Sequence, residues 1–456
     1  MKEERAVEPT GMLVYGVPLA TVGLATLVIL YPGILSPDST DQWSEARGWT
    51  HLEDWHPVLG TLWIRLWSFA DTPALPIAVQ TLAMAALVAF GCALQRASGV
   101  PVWLAASVAA LISVWPPTVV FDATLWKDVP YSIAVVTGTG LLYRAWRSPA
   151  AGATRGFRLG LAACVFGAAV FRHNGFVAAA CLGGAAALLV RSQWRPILGA
   201  TAIALVCWAG LSWSVKKIAG VAPIPPGYVA IGYLASHVAA GTPLRPDESQ
   251  LVDAMHPLAG GWPYVCGLTD PDVYDGKFNG RALAQEGWAP VKLVAKLTLQ
   301  SPGATFRHLV CASRFIWDPT TDHLTGGAIW ADASGFRTVP DDPHVAARSP
   351  VPRLRGWLLA LLLRTEQPGP LQLFWSPALA LWVLLLIAGW LALRRRDWGP
   401  LIIVLPLLVQ TLILVLVVPT PHVRYQYAVI LAGWLFVPAF AWLALSHAPD
   451  CRKATA

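Results

Sequence analysis

The sequence predicts an all-α polytopic integral membrane protein of about ten transmembrane helices, each roughly twenty residues long. Of the 456 residues, 55% are hydrophobic and only 13% charged, about half the ~25% charged share of a soluble domain. A polar shell cannot be built from that. Apolar runs of roughly 15 to 24 residues, the length that crosses a bilayer core, recur along almost the whole chain. The basic residues fall between those runs in alternate connections, as topology signals do. The net charge of +7 therefore reads as membrane orientation and gives no reason to expect a nucleic-acid partner.

The first apolar run, Met12 to Tyr31, is longer than the core of a signal peptide and follows a nearly neutral MKEER start. It has no small-x-small cleavage site after it, so an uncleaved first span is expected over 12–32. Further spans are expected over 74–94, 102–121, 129–146, 157–171, 175–191, 196–215, 372–393, 399–419 and 424–446, of which 157–171 and 175–191 are short. Lys2, Arg5, Arg96, Arg144, Arg147, Arg155, Arg158, Arg191, Arg195, Arg394, Arg395, Arg396, Arg452 and Lys453 share alternate connections. By the positive-inside rule those connections and both termini are cytoplasmic, in an inner (plasma) membrane. The chain then divides into an N-terminal transmembrane module, 1–215, a long outer-face segment, 216–370, and C-terminal transmembrane helices, 371–456.

The first outer loop, 36–73, contains Leu59, Leu62, Trp63, Leu66, Trp67 and Ala70 at helical spacing, with Thr61, Arg65 and Ser68 on the opposite stripe. That pattern predicts a helix lying along the membrane surface. The long outer segment opens with GVAPIPPG and contains a short apolar stretch, Leu354 to Arg364, also expected at the interface. Among the 7 cysteines, Cys92, Cys164, Cys181 and Cys207 lie in apolar runs and read as packing. Cys266 and Cys311 lie in the outer segment, where an oxidising compartment would let them pair.

Ionisable residues at a membrane edge are costly and usually face a cavity. Here they gather at outer turns: Asp38 and Asp41 in SPDSTDQW; Glu53, Asp54 and His56 in HLEDWHP; Asp122, Lys127 and Asp128 in DATLWKDVP; Arg172, His173 and Asn174 in FRHNG; His422, Arg424 and Tyr425 in PHVRYQY. Each motif alone has a structural reading, as an interfacial ion pair or an arginine snorkelling to headgroups. What sets them apart is that all share one face. Carboxylates beside Lys, Arg and His suit a general base together with cations that neutralise a phosphate. The 23 tryptophans are explained mostly by the aromatic belts. TDPDVYDGKFNG is not a calcium loop, because Gly276 is one position late and Arg281 stands where the bidentate Glu belongs. DPTTDHL reads as a solvated turn. No metal ligands are assigned; one His with scattered carboxylates makes a divalent cation only an option.

The first span ending in PGILSPDSTDQW, the outer DWHP before a surface helix, WKDVP, and the HVRYQY start of a late span together resemble the GT-C superfamily of membrane glycosyltransferases. That family includes the protein O-mannosyltransferases and the bacterial enzymes that decorate lipid A or O-antigen. The resemblance covers residues 12–215 and the last span. It implies transfer of a sugar from a polyprenyl-phosphate donor to a glycan, glycolipid or protein acceptor at the outer surface, with inversion. By position Asp38 matches the family's catalytic acid; the spacing of Asp41 leaves the base open between the two. Lys127, Arg172 and Arg424 would contact phosphate oxygens, with Asp128, His173, His422 and Tyr425 completing the substrate site. His56 would hold the carboxylate or, with it, a cation. The competing expectation is a transporter or flippase of lipid-linked sugar, which would instead place ionisable groups near the midplane. A non-catalytic scaffold would not depend on Asp38.

Overall fold

The computed structural model describes residues 13–446 except 222, 270–271, 274 and 322–347. Lys2, Arg5, Met12, Arg452 and Lys453, named above, lie outside the described residues, as do Asp270 of TDPDVYDGKFNG and Asp322 and His323 of DPTTDHL. Among the described residues regular structure is helical, and the only β-pairing is two isolated bridges, Ile34 with Thr124 and Val265 with Leu268.

The N-terminal module runs α1 Val17–Ile29, α2 Pro37–Arg47, α3 Val58–Trp67, α4 Ala74–Ala97, α5 Val102–Val114, α6 Pro116–Asp122, α7 Asp128–Arg147, α8 Arg155–Phe171, α9 Gly175–Leu189 and α10 Trp194–Ala219. The middle segment folds as α11 Ile231–Ala239, α12 Pro246–Met255, α13 Gly280–Glu286, α14 Ala289–Gln300 and α15 Pro302–Ala312, followed by α16 Pro352–Thr365. The chain closes with α17 Pro377–Arg395, α18 Gly399–Val417 and α19 Tyr427–Leu445. Prolines open many of these helices, where a missing N–H costs nothing.

Helices occupy all ten expected span positions, but among the described residues five helices, or six if a bent pair counts as one, are long and apolar enough to cross a bilayer. Length is the reason for three of the differences. At 1.5 Å per residue, the 13 residues of α1, 17 of α8 and 15 of α9 fall short of a ~30 Å hydrocarbon core. The expected span 102–121 is the bent pair, α5 and α6, which turn by 59°. Trp115 precedes Pro116, and a residue before proline is driven out of the helical region; Trp115 is extended at ψ 127°. Helix α7 is long enough, but Asp128, Arg144 and Arg147 at its ends and Ser132, Thr137 and Thr139 within it make it less apolar than the rest.

Helix α7 is the central post, packed on α4, α8, α9 and α19. Its small residues allow that: a Cβ on Gly138 would press on Leu182 at 2.9 Å, and one on Gly140 on Phe90 at 2.5 Å. One large apolar cluster fills the bundle, and a second, built on Ile231, Leu234, Val252, Met255 and Leu297, forms the core of the middle helical unit. Cys266 and Cys311 are disulfide-bonded, with Cα atoms 6.1 Å apart, which staples the 256–279 loop to α15. Cys92 and Cys164 are buried, but Cys207 is exposed on α10 rather than packed inside.

Helix α3 departs from its expected orientation. Thr61, assigned to the solvent stripe, is fully buried, while Leu66 is 69% exposed. The reason is a polar contact: the Thr61 hydroxyl donates to Glu45 at 3.3 Å and accepts from Gln42 at 3.3 Å, clamping α3 to α2. The apolar stripe is thereby split: Leu59 is buried and Leu62 and Trp63 pack on neighbouring apolar clusters, while Leu66 faces away.

Candidate functional site

Five chain segments converge at one end of the bundle, the loop of His56 and four others that local interactions fix. Ser36 is the N-cap of α2, its hydroxyl accepting from the Ser39 amide at 3.3 Å, so Asp38 sits in the first turn where the helix dipole favours a carboxylate. The same hydroxyl accepts from the Trp126 indole at 2.6 Å. Ile34 exchanges backbone hydrogen bonds with Ala123 and Leu125, at 2.8 and 3.1 Å, so the strand into α2 runs beside the WKD turn. Gln80 pins that turn by donating to the Phe121 and Thr124 carbonyls.

Arg172 lies in the three-residue link between α8 and α9. A Cβ on Gly175 would fall 2.1 Å from the Ala168 carbonyl oxygen, so only glycine permits the link to turn this tightly. The fourth segment, His422 to Gln426, is a 3₁₀ turn leading into α19. Gln410 of α18 fixes it by donating to the Tyr425 carbonyl at 3.0 Å while accepting from Tyr131 at 3.1 Å.

The charged side chains form one network. Arg424 Nη1 stands 2.8 Å from Asp38 Oδ2, and Lys127 Nζ is 3.8 Å from the same oxygen. Lys127 also meets His56 Nδ1 at 2.5 Å. Asp128 faces Arg172 at 3.4 Å and Arg424 at 3.8 Å. Arg172 donates to the Tyr425 carbonyl at 3.1 Å, and both arginines lie over the Tyr425 ring at 5.1 Å. Trp126 and His422 close the wall, their rings 5.0 Å apart, with Arg424 over the indole at 5.2 Å. Beside the network, Lys216 at the end of α10 pairs with Asp54 at 2.5 Å.

Electrostatics sort the two carboxylates. The Asp38 side chain is 30% exposed and that of Asp128 1%, so Asp38 is the one a ligand can reach. Burial would raise the Asp38 pKa, but Arg424 and Lys127 outweigh it and hold the carboxyl well below the usual range. Burial, then the Lys127 charge, pushes His56 down, and burial with Arg424 does the same to His422, so both imidazoles are neutral near pH 7. Burial also lowers Lys127, against the pull of Asp38 and Asp128. Three cations against two carboxylates leave a surplus of one positive charge among largely buried side chains. Such a site favours an anion.

Of the residues singled out in the sequence, Asp38, His56, Lys127, Asp128, Arg172, His422, Arg424 and Tyr425 come together here. Asp41 does not: it is exposed and makes no ion pair among the described residues. His173 is exposed at the rim. Asp122 lies apart, its carboxyl buried against Gly23 and its carbonyl accepting from Thr81. Lys216, Gln410, Trp126 and the Gln42–Thr61–Glu45 clamp were missed. Lys216 had a signal, as the first cation after an apolar run; Gln410, inside one, had only its cost there. In the outer segment Asp275 is taken by His256 and the Lys277 amide, and Asp318 by Arg314 and Thr320. Among the described residues no group of three or more His, Cys, Asp or Glu side chains is placed to hold a metal.

No family model, no curated protein and no solved structure matches this chain, so a reading of its function rests on these residues.

Proposed function

We propose that this chain is an inverting glycosyltransferase that takes its sugar from a polyprenyl-phosphate donor, with the charged recess facing the outside of the membrane. The observation that carries the reading is an accessible carboxylate, Asp38, held between Arg424 and Lys127 in a recess with one surplus positive charge. A sugar on a polyprenyl phosphate is a phosphodiester with one negative charge, which that surplus balances, while the polyprenyl tail stays in lipid. Asp38 accepts the proton of the acceptor hydroxyl, the oxygen attacks the anomeric carbon, and the bond from that carbon to the phosphate oxygen breaks. The leaving phosphate gains a negative charge as Asp38 loses its own. Net charge in the recess is unchanged, and the cations shift their attraction from carboxylate to phosphate.

A carboxylate this strongly paired is a weak base until the donor arrives. The incoming phosphate shares Arg424 and Lys127, which frees Asp38 to take a proton when a substrate is present. Purified protein supplied with polyprenyl-phosphate sugars tests the reading. Asp38→Asn should lower turnover by a factor of about 10² or more, and Asp41→Asn should leave it within a few-fold of wild type. A fully active Asp38→Asn enzyme would overturn it, and uptake of lipid-linked sugar into sealed vesicles would then be the measurement that fits the recess.

A further inference from the structure

We propose that a second pocket, between the middle helical unit and the end of α18, binds one sugar ring of a carbohydrate acceptor. Its role as an acceptor site rests on the glycosyltransferase reading; the binding itself does not. The cavity has a volume of about 180 Å³, well below the ~300 to 1,000 Å³ of a drug-sized pocket. Its walls carry Tyr228, Tyr233, Thr269 and His308 as polar groups among mostly aliphatic residues such as Val229 and Leu309, and none of them bears a fixed charge.

Three features point to a neutral polyhydroxylated ligand. The first is the close approach at Gly232. A Cβ there would lie 3.1 Å from His308 Cε1 and 3.2 Å from Thr269 Oγ1, so the missing side chain lets both polar groups stand against the backbone at the cavity wall. The second is the donor and acceptor set. His308 Nδ1 is bonded to the Tyr264 hydroxyl at 3.1 Å, while its Nε2 edge stands against Gly232. Burial, then His237, lowers the His308 pKa to about 4, so the imidazole is neutral and suited to a hydroxyl rather than to an anion. The last-turn carbonyls of α18 have no intrahelical donors; Tyr233 takes that of Leu416 at 2.7 Å. The third is the aromatic pair Tyr233 and His308, packed edge to face with their rings 4.7 Å apart. Such amphipathic rings suit a ligand with apolar faces and polar edges.

Position links the pocket to the charged recess. Thr269 donates its amide to the Pro419 carbonyl at 2.9 Å, and the chain from Pro419 runs on to His422 and Arg424. On the other wall, the Tyr228 ring meets Trp55 edge-on at 4.4 Å, between Asp54 and His56. Two of the segments at the charged site, those of His56 and His422, therefore reach residues in the wall of this cavity. A chain of sugars seated in it has one ring held here and another free to reach Asp38.

Saturation-transfer NMR on the full chain in lipid nanodiscs, with the methyl pyranosides of glucose, mannose, galactose and N-acetylglucosamine, tests the binding without a donor. At least one glycoside should give a signal that Gly232→Leu abolishes and Asp38→Asn preserves. Thr269→Val keeps the shape and removes one hydroxyl, so it should weaken binding about threefold to tenfold, the loss of one hydrogen bond. Should Gly232→Leu fail to fold, Thr269→Val decides. Absence of any signal, or a signal unchanged by the foldable variants, overturns the pocket. A wild-type protein that binds a glycoside but transfers no sugar would overturn the proposed function and leave the pocket. An active enzyme whose acceptor KM is unmoved by Gly232→Leu would do the reverse.

Discussion

At the scale of single residues the recess is a set of interdependent charges, and its members should fail in different ways. Asp128 is buried against Arg172 and Arg424. Asp128→Asn leaves Arg172 without a carboxylate partner among the described residues and Arg424 with Asp38 alone, and breaking a buried pair this way costs about 3 to 5 kcal/mol. The expected outcome is a lower thermal midpoint together with lost activity; an Asp128→Asn protein as stable as wild type would mean that the pairs contribute little. Lys127→Ala should weaken donor use, and Lys127→Arg need not restore it, because a planar fork replaces a point charge. Glu45 carries a pH signature of its own. Burial raises its pKa to about 7, with the Thr61 hydrogen bond opposing and Glu53 adding. A carboxyl that is harder to ionise in the folded state costs stability as pH rises from its unfolded value, ~4.3, to about 7. Glu45→Gln can still accept from Thr61, so its thermal midpoint should match wild type near pH 4 and exceed it at pH 8. Parallel curves across that range would contradict a raised Glu45.

Among the elements, the short α2 matters most, because its first turn aims Asp38. Ser36→Ala removes the N-cap, about 1 kcal/mol, and leaves the buried Trp126 indole without its acceptor, a further ~1 to 3 kcal/mol. Activity should fall along with stability, since the strand beside the WKD turn loses its tie. Ser36→Thr should recover most of both; failure of Thr to rescue would mean that the hydroxyl is not what holds the turn. The link after α8 is the second such element. Gly175→Ala forces a Cβ to within 2.1 Å of a backbone oxygen, which must open the turn and displace Arg172. The bend between α5 and α6 was readable in principle, as Trp-Pro-Pro in an apolar run, yet the apolar periodicity alone ran straight through it.

For the molecule as a whole, the claim that fixes the site's side is topological. Reporter fusions at Arg96, Arg155, Arg195 and Arg395 should report cytoplasm, and a fusion near Asp54 the outside. An outside signal at Arg155 would put the recess at the cytoplasmic face and remove the lipid-linked donor from the argument. The Cys266–Cys311 bridge gives an independent reading of the same question, because disulfides persist in oxidising compartments. Thiol labelling of denatured protein without reductant should leave both cysteines unmodified. Labelling of both would place the middle unit in a reducing compartment.

By itself the sequence pointed to the solvent and the class: 55% hydrophobic and 13% charged residues in apolar runs of roughly 15 to 24 residues suit helices in lipid, where a segment must satisfy its own backbone hydrogen bonds. It also determined which residues were worth suspecting, because an ionisable group at a membrane edge is expensive wherever it occurs. The tertiary structure decided which suspects meet. Asp38 and Asp41 are three residues apart and chemically identical, yet the packing of α2 turns only Asp38 toward Arg424 and Lys127. Arg172, Asp128 and Arg424 come from segments far apart in the chain, and only the docking of α7, α8 and α19 brings them within ion-pair distance. Only the first span reads much too long: its apolar run covers 12–32, whereas the helix runs Val17–Ile29. Helix α8 begins two residues before its expected 157–171, and α9 ends two residues short of 191. The burial of Thr61 was likewise beyond a pattern reading, because a helix face turns inward for its partners, here Glu45 and Gln42, and those partners are not local in sequence.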